Sequence, residues 1–172
     1  MNKIKIHTLG PKNTNCEAAA KHYILKNKLE CDIILYETLE SAVDVVTKDK
    51  NSLLLTCIVY PHLYKLVFEN LKKLKLVDCF IFNTFEMVLS TKNEFDINSL
   101  HSIISHPAPI PLIKRYEKKI YLANSNSEAA KLCFEEKFDA CITTLPASIS
   151  YNLKIIKNFG EVPMGFAIHK KI

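Results

Sequence analysis

The sequence predicts an α/β fold of two small lobes with a ligand cleft between them, and three observations carry that expectation. Short apolar runs of strand length alternate with stretches of helical periodicity, in the order strand, helix, strand, helix, strand. The alternation then begins again after residue 101. No repeat period, low-complexity tract or flexible linker interrupts the 172 residues. The expected division is 1–76 plus 155–172 for the first lobe and 77–154 for the second.

Residues 3–9 alternate and predict a first strand. Thr14 to about Lys28 predicts a helix, with Ala18, Ala19, Ala20, Tyr23 and Ile24 as its apolar face and Thr14/Glu17 at capping-box spacing. Ile33–Tyr36 is a short strand. Thr38–Lys48 is helical, with Leu39, Ala42, Val43 and Val46 on one side, and Leu53–Val59 is a strand stopped by Pro61. The stretch from Tyr60 to Leu76 has room for a short helix. Phe80–Ser90 reads as extended and 92–101 as a polar connection. A second cycle opens with a strand at Ser102-Ile103-Ile104 and a helix from Pro107 to about Lys118. It continues with a strand at Ile120–Ala123, a helix from Ser125 or Ser127 to Lys137 and a strand at Ala140–Thr143. Pro146 then opens a last helix, and Met164–His169 is a final strand.

Composition removes several function classes. Only Gly10, Gly160 and Gly165 are glycine, where average usage would give roughly twelve. Dinucleotide fingerprints and phosphate loops need several glycines close together, so neither fits. The net charge is +5 from 23 basic and 18 acidic residues, but the lysines are scattered and Arg115 is the only arginine. That pattern suits a small anion better than a nucleic acid. The six cysteines are widely spaced and mostly lie in apolar runs, which predicts buried free thiols in a reduced, cytoplasmic setting. The N-terminal residues lack a signal-peptide pattern, and no segment has the apolar length of a membrane span.

Ligands of α/β sheets collect beyond the carboxyl ends of the strands, at helix starts. Polar sets stand at such places: Thr8 to Asn15, Ser105-His106-Pro107, Asn124 to Glu128, and Thr143-Thr144. Each set serves equally as ordinary helix capping. His62 and His106 occupy strand exits, where an imidazole can move a proton or simply bond the loop. His7 and His22 read as structural, and His101 and His169 as solvent-facing. No His/Cys/Asp grouping has metal-ligand spacing. Cys16, in a first helical turn, lacks an evident base and reads as inert.

Thr8-Leu9-Gly10-Pro11-Lys12-Asn13-Thr14-Asn15-Cys16-Glu17-Ala18-Ala19 resembles the opening motif of the prephenate dehydratase catalytic domain, a bilobal fold like the type 2 periplasmic binding proteins. Ser105-His106-Pro107, Asn124 to Ala130 and Phe138 to Thr143 resemble its later motifs, in order. Ser105 to Lys114 and Ile58 to Tyr64 are more similar to the prephenate decarboxylase branch, whose familiar member serves bacilysin antibiotic biosynthesis. Tyr151-Asn152-Leu153 and Val162-Pro163-Met164 continue that likeness. The dehydratase Thr-Arg-Phe motif has no counterpart near 160–169, and a regulatory domain is not expected. The chain departs from the pattern at Asn13, Cys16 and Lys65-Leu66.

The resemblance implies a cofactor-free lyase that removes the ring carboxylate of prephenate as CO2 and keeps the ring hydroxyl, giving a dihydro-4-hydroxyphenylpyruvate. His62 and His106, by their position at strand exits, are the catalytic candidates. Thr8, Thr14, Asn15, Ser105, Asn124, Ser125, Ser127 and Thr143 are the substrate-binding candidates. No metal and no organic cofactor is called for. The expected partner is prephenate or a related small carboxylate, with no nucleic acid and no membrane, and a homodimer is left open. A non-catalytic binder of an aromatic or dicarboxylate ligand, and residual dehydratase activity, remain as alternatives.

Overall fold

A computed structural model describes residues 3–94 and 96–172. The chain divides into two compact units, Met1–Thr84 with Pro163–Ile172 and Phe85–Val162. Both boundaries fall later than the expected 76/77 and 154/155. The reason is strand pairing, as the elements show.

In the first unit the parallel strands β1 (Ile4–Leu9), β2 (Cys31–Tyr36) and β3 (Ser52–Cys57) are joined through α1 (Asn15–Lys26) and α2 (Leu39–Val46). A short α3 (Leu63–Glu69) leads into β4 (Leu74–Asn83). The sheet is completed by β10 (Pro163–Lys171), which runs antiparallel between β3 and β4. Because β4 pairs with β10 as far as Asn83, residues 77–84 belong to this unit.

The central strands of the sheet are covered on both faces, as a mostly parallel sheet requires, while the edge strand β4 stays largely exposed. Ala19, Ala20 and Tyr23 of α1 pack on Ile6, Leu55, Phe80, Phe166 and Ile168. On the other face Leu39, Ala42, Val43 and Val46 of α2 pack with Leu54, Leu66 and Leu74. Leu66, one of the departures from the family pattern, is thus a core residue of α3.

The second unit repeats the sheet plan. β6 (Ser102–Ser105), β7 (Lys119–Leu122) and β8 (Ala140–Thr144) are parallel. β5 (Met87–Thr91) runs antiparallel between β8 and the edge strand β9 (Lys154–Gly160). α4 (Asn126–Phe134) and α5 (Leu145–Ser150) complete it. Strand orders β2-β1-β3-β10-β4 and β7-β6-β8-β5-β9 correspond position by position. Ala129, Ala130, Cys133 and Ala147 pack over Ile104 and Cys141, and Met87, Leu89, Ile103, Ile113, Ala140 and Ile142 fill the opposite face.

Four expectations change. The helix expected after Pro107 is replaced by two 3-10 turns, Ile110–Leu112 and Lys114–Tyr116, because Pro109 and Pro111 remove donors that an α-helix needs. Phe80–Ser90 is not one extended run but parts of β4 and β5, which lie in different units. β9 was not expected from its mixed sequence Lys-Ile-Ile-Lys-Asn-Phe-Gly. His169 is buried rather than solvent-facing, with Nε2 3.4 Å from Thr56 Oγ1. Among the described residues no helix is long and apolar enough to cross a membrane.

His7 is also buried, between Tyr36 Oη (2.8 Å from Nδ1) and Ser52 Oγ (3.0 Å from Nε2). Burial lowers the pKa of both imidazoles, and Lys5 lowers that of His7 further. Below pH about 6.5 the unfolded chain therefore binds protons that the folded chain resists, so stability falls as pH falls. Urea midpoints measured from pH 7.5 to 5 should decline, and His169→Gln should flatten the profile.

Candidate functional site

The parallel register gathers the polar residues of the second unit at one sheet edge. Ser105 pairs with Ile142 on β8 and with Leu122 on β7, so His106, Thr143 and Ala123 follow at the same level. Ala123 donates its N–H to the Ser105 carbonyl, extending the ladder by one bond. Immediately beyond stand Asn124 and Ser125, where the chain turns into α4.

Individual bonds fix these groups. Ser105 is buried and its hydroxyl donates to the His106 carbonyl at 2.8 Å. The half-buried His106 ring accepts the Ala108 N–H at Nδ1 (3.3 Å), and burial lowers its pKa. Neutral imidazole is therefore its form at neutral pH. Ser125 caps α4 by accepting the Glu128 N–H at 3.0 Å. Thr143, fully buried, donates to the Asn126 carbonyl at 2.7 Å and so ties the end of β8 to the first turn of α4. Ser127 is half-buried in the same turn.

In the first unit Thr8 is buried near the end of β1 and donates to the Leu55 carbonyl at 3.0 Å. Thr14 takes the N-cap position of α1, yet its hydroxyl caps no N–H and instead donates to the Pro11 carbonyl at 3.0 Å. Asn15 opens the helix. Asn13 has φ 64°, the left-handed conformation that asparagine tolerates better than most residues. His62 is exposed, sits before α3 with φ 58° and has its ring centroid 6.1 Å from that of Tyr64. His62 and His106 thus belong to different units.

The two helix starts share a local plan. Asn13-Thr14-Asn15-Cys16-Glu17-Ala18-Ala19 matches Asn124-Ser125-Asn126-Ser127-Glu128-Ala129-Ala130 at all but two positions. In both, the glutamate accepts the N–H of the first asparagine, Glu17 from Asn13 and Glu128 from Asn124. A carboxylate of the chain itself therefore stands at each positive helix end. Burial raises the pKa of Glu17, but Lys21 at 2.7 Å and the Asn13 N–H outweigh it and the net shift is downward. The likeness is local rather than a repeat of the fold. α1 follows β1, whereas α4 follows β7, the counterpart of β2.

Two residues of the polar sets were not among the substrate-binding candidates. Asn126 Oδ1 and Thr144 Oγ1 are buried without a hydrogen-bond partner. Only tertiary packing makes them unusual, so composition and spacing carried no signal. Burial, with Cys57 adding to it, pushes the Cys16 thiol up to about 12, which disfavours the thiolate that a nucleophile needs. Among the described residues no group of three or more His, Cys, Asp or Glu side chains is arranged to hold a metal ion.

Comparison with known proteins adds the family. No protein-family model matches the chain. A prephenate decarboxylase of Bacillus subtilis is 32% identical over an alignment of 181 positions, gaps included, that covers 98% of this chain and 87% of that protein. The crystal structure of the Staphylococcus aureus prephenate dehydratase superposes with a TM-score of 0.71 at 18% identity, covering 97% of this chain. This chain spans only 66% of the length of that dehydratase. A periplasmic substrate-binding protein of an ABC transporter from Coxiella burnetii gives a TM-score of 0.60 at 12% identity, covering 98% of this chain and 84% of that one. These structural likenesses describe the fold.

Two measurements check the local geometry. Ser125→Ala should cost about 1 kcal/mol of stability through loss of a working cap, and Thr14→Ala clearly less, both read by denaturant titration. With a chromogenic thiol reagent at pH 7.5, the exposed Cys79 should react first, and Cys16, Cys133 and Cys141 only on unfolding.

Proposed function

This chain belongs to the prephenate dehydratase/decarboxylase superfamily, and from that premise we propose that it is a lyase acting on prephenate. The observation that carries the proposal is the 32% identity to a named prephenate decarboxylase across 87% of its length. The finer reading is decarboxylation without aromatisation. The bond from the ring to its carboxylate breaks, CO2 leaves, and the electron pair passes into the ring diene. A ring carbon then takes up one proton, and the ring hydroxyl stays in place.

Loss of the hydroxyl, the dehydratase outcome, needs a proton delivered to that oxygen. An imidazole whose pKa is lowered by burial is a poor donor at neutral pH. His106 in its neutral form therefore suits a reaction that spares the hydroxyl, with the ring orienting the substrate and the proton taken up at carbon coming from solvent. Ser105, Asn124, Ser125, Ser127 and Thr143 would hold polar groups of the substrate beside it. Thr8, Thr14, Asn15 and His62 are the corresponding polar candidates of the first unit. A small dipeptide-antibiotic pathway of the bacilysin kind would use the non-aromatic keto acid produced.

A second reading has its own support. Glu17 and Glu128 already place carboxylates at the two helix starts, which disfavours tight anion capture there and suits a binder of another ligand. Incubation of the purified protein with prephenate separates the readings. A non-aromatic hydroxylated keto acid is the expected product. Phenylpyruvate would indicate dehydration, and unchanged prephenate would remove the enzymatic reading. His106→Ala should lower turnover about 100-fold or more at an unchanged thermal midpoint, and wild-type turnover in that variant would exclude the role given to His106. The same comparison with His62→Ala tests the other histidine.

A further inference from the structure

One face of the first sheet is left uncovered over β10 and β4. Directly paired strand residues share a face, and Leu76, Cys79 and Ile81 of β4 oppose His169, Ala167 and Gly165 of β10. The register shift at Ile168/His169 keeps Leu76 on this side, although it lies an odd number of residues from Cys79. Leu54, which packs with α2, belongs to the same face because it pairs with His169. Ile58 extends the surface. Its Cδ1 would stand 2.8 Å from a Cβ at position 165, so the bare glycine leaves Ile58 room over β10, where Gly165 pairs with Ile81.

The short α3 sits on this face through Leu66, against Leu54 and Leu74. Tyr64, Phe68 and Leu71 recur at i, i+4 and i+7 along it and just past its end, the spacing of one helical flank. Lys65 and Glu69 beside them pair with each other at 3.8 Å. Ile58, Tyr64, Phe68, Leu71, Leu76 and Ile81 are between 56 and 74% exposed. At roughly 200 Å² for a fully exposed large residue, the six present on the order of 800 Å², the area one partner gives to a standard interface. Few monomers leave that much apolar surface in water. The open edge of β4 is a poorer place for a partner. Lys75 and Asp78 lie on it, and the Asp78 carboxylate already accepts the Cys79 N–H at 2.8 Å.

We propose that this face is a dimer interface and that its occupant is a second copy of the chain, related by a twofold axis. The patch carries no unpaired charge, so its complement is an equally apolar surface, and the chain's own has the required area. Charge at the rim fixes the direction. Among the described residues Lys72, Lys73, Lys75, Lys170 and Lys171 form no salt bridge, and Lys75 stands directly opposite Lys170. These lysines gather at the start of β4 and the end of β10. Copies with β4 strands running the same way would bring the two clusters together. Copies with opposed β4 strands hold them a strand's length apart, roughly 30 Å for ten residues, well beyond the screening length of about 8 Å.

Sedimentation equilibrium tests the assignment, and the wild-type protein should show the mass of two chains at about 0.1 mM. Phe68→Glu and Ile81→Lys should each raise the dissociation constant roughly tenfold or more. Both positions are exposed in the single chain, so the far-UV circular dichroism of the variants should not change. Leu25→Lys, an equally exposed position on α1 across the sheet, should leave the dissociation constant as it is. Alkylation of Cys79 should slow as wild-type protein is concentrated, and should keep one rate in Ile81→Lys. A wild-type mass of one chain at that concentration would overturn the inference. So would a dimer that neither substitution weakens, since its interface would then lie elsewhere.

Discussion

The central strands of both sheets are covered on both faces, and that constraint governs where polar chemistry can exist in this protein. A polar side chain in the middle of a strand must find a partner within the core, as His7 does between Tyr36 and Ser52. At the strand ends the demand relaxes, because helix starts and turns bring backbone groups within reach. Thr8, Ser105 and Thr143 are each buried at or near such an end and each donates to a backbone carbonyl. The candidate residues are therefore products of the layering as much as of the sequence motifs. Parallel register then decides which of them become neighbours.

The strands with unbroken apolar runs were legible from sequence because burial on both faces imposes that composition. β9 was not, since it is an edge strand whose lysines alternate irregularly with apolar residues. The segment after Pro107 misled for a local reason: its apolar spacing is helical, but its prolines forbid the ladder. The site was legible to the same depth. Sequence motifs located the strand-to-helix junctions, and Ser125 caps α4 as its spacing predicts. The Thr14/Glu17 pair has the same spacing, yet Thr14 turns its hydroxyl to Pro11. Backbone geometry at Asn13, invisible to a spacing rule, makes the difference.

The near-identity of the two helix starts has a physical explanation. Their positions in the two sheets do not correspond, although the sheets themselves do. A strand that passes sharply into a helix needs a short polar residue before the first turn, a glutamate to return to the backbone and alanines to lie close on the sheet. Those demands are the same wherever such a junction occurs. Local sequence likeness within one chain can therefore report shared geometry, while the correspondence of the folds appears only in strand order.

The placement of β10 has a consequence for how the chain assembles. This strand lies between β3 and β4, so the first unit cannot close its sheet without it. Yet the whole of the second unit, Phe85–Val162, intervenes in sequence between β4 and β10. The second unit is contiguous and has all its strands before β10 is synthesised. It can thus fold while the first sheet still presents two unpaired edges, on β3 and β4. Closing that gap requires a long-range pairing across an already folded insertion, a slow step by its topology. Until it occurs, β3 and β4 are the strands most open to a wrong partner.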